Sequence, residues 1–145
     1  TIHMYSIFKT THSYAAWAVL ILLVITVIYA ALTFFGNKSW KVSEFKLAFF
    51  TFVSCHIQLL LGLVLYFTSP FGMSNLSGET MKDSFSRLLA VEHPFVNILG
   101  IVMITMGYIK AKKLLDTVNA PKTIFIYYGI GLLLFLSRIP WSNWL

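Results

Sequence analysis

The chain has 145 residues, of which 58% are hydrophobic and 11% charged, with a net charge of +6. Soluble domains carry about 45–50% apolar and about 25% charged residues, so a single domain of this length could not hide its apolar surface from water. A disordered chain, a disulfide-rich secreted domain and a nucleic-acid binder are excluded: there is one cysteine, Cys55, and the 11 basic residues fall in short clusters between apolar runs, without a basic stripe interleaved with stacking aromatics.

What remains is a chain whose solvent is lipid. A helix crossing a hydrocarbon core about 30 Å thick needs about 20 apolar residues. The first candidate span runs from about Tyr14 to Phe35. It exceeds the roughly 7–15 apolar residues of a signal-peptide core, so it reads as a span. Met4 is a candidate initiator, and no weight rests on His3. The second span runs from about Leu47 to Phe67 and the third from about Leu88 to Ile109. The fourth, about Ile124 to Leu136, is short and extends to about Ile139. In hydrocarbon, backbone donors and acceptors must pair within their own segment, so these runs are helices. The expected fold class is an all-α integral membrane protein, a single four-helix transmembrane bundle.

Basic residues set the expected orientation. Lys38, Lys41, Lys46, Lys110, Lys112, Lys113 and Lys122 lie on one side; Lys9, Lys82, Arg87 and Arg138 lie on the other. The bias places the first and third loops in the cytoplasm and both termini outside. Trp141 and Trp144 then fit an aromatic belt at the outer surface. In the second loop, Ser69–Gly72 reads as a turn. Thr80–Asp83 has capping-box spacing, so the third helix is expected to begin outside the membrane near Thr80, with a kink at Pro94.

An ionisable side chain within a span is a functional hypothesis by default. His12 heads the first span, His56 lies within the second and His93 near the head of the third, beside Glu92. At 1.5 Å per residue, His93 is about 8 Å and His12 about 19 Å outward of their span centres, which does not choose a pair. Helix faces are more informative. At 100° per residue His93 shares a face with Asn97, Gly100, Ile104 and Gly107, and His12 shares one with Ala16, Val19, Leu23 and Ala30. Small and polar residues favour bundle interiors in membranes. In the second span that face is Ser54, Cys55, Gln58, Gly62 and Tyr66, with His56 roughly opposite. His12 and His93 are therefore expected to face a common interior, and His56 a second site or a partner subunit.

Two histidines on different helices in apolar surroundings suit the axial positions of haem b. Gly100 would let the macrocycle lie close to the backbone. Arg87, Arg138 and Lys82 would meet the propionates at the surface, arginine in two-pronged geometry. Beside this stand plainer readings: His12 as an interfacial residue, His56 as a hydrogen-bonding tie between helices, Glu92 and Arg138 as an ion pair, and Asn97 and Gln58 as interhelical glue. A zinc site would want three or four close ligands, no GxSxG or Walker motif is present, and a transporter would want repeats and broken spans.

Thr11–Tyr14, His56–Phe67, Ala90–His93 and Arg138–Trp141 resemble a family of small four-helix membrane proteins of Bacteroidota loosely described as cytochrome b. The resemblance covers nearly the whole chain and implies the inner membrane. A weaker likeness is to one half of haem A synthase, through a histidine heading one helix, a Gln-x-x-x-Gly helix and a histidine heading the next: His12, Gln58 with Gly62, and His93. It implies that His12 and His93 are the axial pair. That enzyme has two such halves, and Lys9 stands where it carries an acidic residue. The expected function is one-electron transfer through one haem b, within a larger membrane complex or with quinone. The alternatives are a cofactor-free accessory subunit, or a haem-modifying protein that needs a second half.

Overall fold

The computed structural model describes residues 2–144. Four helices are long and apolar enough to cross a membrane: His3–Phe35, Val42–Thr68, Ser84–Lys112 and Asn119–Ser137. No strand occurs among the described residues.

Helix α1, Ile2–Phe35, begins twelve residues before the apolar run, so His12 lies inside a helix and not at its head. The polar stretch Ser6–Thr11 continues the helix outward beyond the hydrophobic segment. α1 ends where Asn37 adopts φ 56°, with the Lys38 amide donating to the Thr33 carbonyl (3.0 Å) and the Asn37 amide to that of Phe34 (2.9 Å). This is a Schellman stop, and asparagine is the side chain other than glycine that best tolerates its left-handed position. Helix α2, Val42–Thr68, starts with the Glu44 carboxylate accepting from the Lys41 amide at 3.2 Å.

Two short helices lead into the third span. Ser77 caps α3 (Gly78–Lys82) by accepting from the Thr80 amide, and Asp83 caps α4 (Ser84–Arg87) by accepting from that of Ser86. The expected capping box is thus corrected: Thr80 is buried and gives its hydroxyl to the Asn75 carbonyl, and the caps are Ser77 and Asp83. A π-helical turn, Leu88–Glu92, joins α4 to α5 (His93–Lys112). Pro94 lacks the amide that would bond the Ala90 carbonyl one turn back. Tyr66 of α2 takes that place, its hydroxyl donating to Ala90 at 2.9 Å. The fourth span is α6, Asn119–Ser137, followed after Pro140 by the single turn α7, Trp141–Trp144.

α1 packs on α2 and α6, and α5 on α2 and α6, so α1 and α5 stand across the bundle from each other. Short connections alternate the helices, and the N-terminal parts of α1 and α5 share one end with the C-terminal parts of α2 and α6. The other end is close-packed. Trp40, Ala111, Ala120, Ile124 and Tyr128 are fully buried there, and the Tyr128 hydroxyl crosses from α6 to the Ala48 carbonyl on α2 at 2.8 Å. Nearer mid-bundle, the hydroxyls of Thr26 (α1) and Thr51 (α2) meet at 2.7 Å. Apolar side chains cover the outside, among them Ile21, Ile28, Leu32, Phe50, Ile57, Leu60, Phe67 and Leu133, as lipid contact requires.

Candidate functional site

At the histidine end the interior is not filled. A cavity of about 270 Å³ lies between α1, α2 and α5, reaching down to Cys55 and Ile101, with Phe135 of α6 and Trp144 of α7 in its wall. The loop after α2 covers part of it through Ser69, Phe71 and Gly72. Gly72 is needed because a Cβ there would overlap the Tyr66 backbone carbonyl. Trp144 is held by stacking on Trp17 of α1, ring centres 4.6 Å apart.

His12 and His93 both line this cavity, from helices that face each other across the bundle. Their ring centres are 6.3 Å apart and their planes perpendicular. The surroundings fix the tautomer of His93. Its Nδ1 lies 2.8 Å from the Arg138 carbonyl oxygen, which can only accept, so Nδ1 carries the proton. The Asn97 amide group, 3.2 Å from the same nitrogen, therefore cannot donate to it and donates to the His93 carbonyl one turn back. The Nε2 of His93 is left with its lone pair and no hydrogen-bond partner among the described residues. A backbone carbonyl on one ring nitrogen, freeing the other, is the usual second layer of a metal-binding histidine.

His12 rests on α2 at Gly62, where a Cβ would come within 3.2 Å of its Cε1, so a larger residue would make the ring give way by a few tenths of an ångström. Gln58, one turn earlier on α2, donates its Nε2 to the His12 carbonyl at 2.8 Å. That bond fixes the amide orientation, and the Gln58 Oε1 is left buried without a partner; so is the His12 Nδ1. Each unsatisfied buried polar atom costs about 1–3 kcal/mol, and native structures hold few of them. Both atoms stand on side chains of the cavity wall.

The other expected site residues are placed differently. His56 lies outside the cavity: its Nδ1 donates to the Phe52 carbonyl at 2.9 Å, its Nε2 is 3.3 Å from the Thr105 hydroxyl of α5, and its ring packs on Phe52. The Thr105 hydroxyl donates to the Ile101 carbonyl at 2.8 Å, so His56 sits at the contact of α2 with α5 with no proton left for a bond between the two side chains. Gly100 is corrected outright. It packs against α6, where a Cβ would overlap the Phe135 ring, and it does not line the cavity. Arg87 and Arg138 do not line it either. Arg87 Nε meets the Glu92 carboxylate at 2.9 Å and Arg138 Nε at 3.8 Å, so their charge is turned to that acid and away from the cavity mouth. Arg138 contributes through its carbonyl instead. Asn97 lines the cavity but bonds within its own helix, so it is not interhelical glue.

Sequence reasoning passed over Tyr5 and Lys9 as cavity residues. The signal was present: Tyr5, Lys9, His12 and Ala16 follow the helical spacing of one stripe. Starting the helix at Tyr14 hid it.

Chemically, the cavity offers two imidazoles, an amide oxygen and an otherwise largely apolar wall. No group of three or more His, Cys, Asp or Glu side chains clusters among the described residues, so the site has no protein cage of the structural-zinc kind. No family model matches the chain, and no curated protein or solved structure is similar to it.

Proposed function

We propose that this chain is a small membrane cytochrome b-like protein that holds one haem b between His12 and His93. The observation that carries the reading is the separation of the two rings. Two imidazoles from facing helices line one largely apolar cavity with their ring centres 6.3 Å apart, close enough that a single metal-centred group could be held by both. The fixed tautomer of His93, which leaves its Nε2 lone pair free, supports it.

In this reading His93 is oriented by the Arg138 carbonyl and His12 by Gly62 and the Gln58 bond to its backbone. Apolar neighbours such as Leu59, Leu63 and Ile101 exclude water. Haem b held by His12 and His93 would supply a one-electron couple. The positive-inside bias supports an outward position for this end; in a bacterial inner membrane that would be the periplasmic face, where quinone or another subunit of a membrane complex would be the electron partner.

An absorption spectrum of the purified protein tests the reading. A reduced α-band of a six-coordinate b-type haem is expected, with haem recoverable by extraction. A colourless protein that takes up no added haem overturns it, and co-purification with a larger assembly would then make the chain an accessory subunit.

A further inference from the structure

Besides its imidazoles, the cavity is lined by one charged side chain, Lys9. It is exposed, and no acidic group among the described residues pairs with it. The other cations near this end are engaged: Lys82 with Glu79 at 3.8 Å, and Arg87 and Arg138 with Glu92. No acidic side chain lines the cavity. Lys9 precedes His12 by three residues on the same stripe of α1, one turn toward the helix end, or about 4.5 Å along the axis. An apolar cavity with one ammonium at its rim, set above an imidazole, matches an apolar ligand that carries an acid group at that edge. A lysine also suits the position physically, because its four-carbon stem packs on apolar surface while the head stays at the water boundary.

We propose that Lys9 binds a carboxylate of the ligand: a propionate of the haem that His12 and His93 hold. The inference rests on the haem reading above. It moves the acid-binding role from the arginines to a residue whose charge is uncommitted.

Titrating the haem-depleted full chain in detergent with haem b and with its dimethyl ester isolates the acid groups, because the macrocycle and iron are the same. The wild type is expected to bind haem b about tenfold more tightly than the ester, the strength of a charge-assisted hydrogen bond, with the preference shrinking as salt rises. Lys9→Gln should lose that preference by weakening haem b binding alone, Lys9→Arg should keep it, and Lys82→Gln should change nothing. Retention of the full preference by Lys9→Gln overturns the proposal. So does equal weakening toward both compounds, which would mean a purely structural role. A wild type that binds both equally with a bis-histidine spectrum rejects Lys9 alone, whereas a wild type that binds neither rejects the haem reading and the proposal with it.

Discussion

The Tyr66 hydroxyl donates to the Ala90 carbonyl at 2.9 Å, the oxygen that Pro94 deprives of its helical partner. Ala90 is buried, 1% exposed, so no water can substitute. Tyr66→Phe keeps the ring and removes only the donor. It should destabilise the bundle by about 1–3 kcal/mol, the range for orphaning a buried acceptor. Thermal unfolding in detergent measures it, and Pro94→Ala in the same background should recover part of the loss by restoring an amide donor. No recovery would mean that the Ala90 carbonyl is not the group at stake.

The histidines of the three helices α1, α2 and α5 should separate cleanly by spectrum. His12→Ala and His93→Ala each remove one of the two rings that stand 6.3 Å apart, and each should abolish the six-coordinate haem band. His56→Ala removes a ring that packs on Phe52 without touching the cavity, so the band should persist while stability falls. A band that survives His93→Ala at wild-type position and intensity would exclude this axial pair.

Hydropathy located all four helices that are long and apolar enough to cross a membrane, because a run of about 20 apolar residues is legible without packing. Helical periodicity also found the interior faces: Val19, Leu23 and Ala30 are buried on α1, and Cys55, Gln58, Gly62 and Tyr66 all line the cavity on α2. What hydropathy cannot see is a helix that begins before its apolar run, which is why the first three turns of α1, with Tyr5 and Lys9, are not legible from it. An interior glycine is equally ambiguous in sequence. Gly62 makes room for an imidazole and Gly100 for Phe135, and only the packing of the neighbouring helix tells them apart. The arginines were misplaced for a similar reason. Charge and depth put Arg87 and Arg138 near the cavity mouth, but the π-helical turn presents Glu92 to both guanidinium groups.

Asp83 caps α4 as an ionised acceptor. Hydrogen bonds from Ser86 hold its carboxyl below the ordinary aspartate value. A depressed folded-state value means that the cap is fully present above about pH 3.9 and is lost as pH falls through the lower folded value. The Ser86 amide proton resonance should therefore titrate with a midpoint below that of a free aspartate. Asp83→Asn preserves a good cap and should remove the titration. A midpoint at or above the ordinary value would show that the bond does not form in solution.

Gly100 decides how closely α5 and α6 approach. Its Cβ would fall within the Phe135 ring, and Gly131 on α6 meets Ile104 on α5 in the same manner. Small residues are how membrane helices reach close packing. Gly100→Ala should cost about 1–3 kcal/mol by overpacking, and the added Phe135→Leu change should return part of it by opening the space. Phe135 is shared with the cavity wall, so the single variant should also weaken haem uptake by pushing the ring toward the cavity, whereas the double variant should bind with near wild-type affinity. Stability and haem titration, measured on both proteins, distinguish this coupling from simple loss of fold: unfolding alone would lower haem capacity without changing the affinity of the folded fraction.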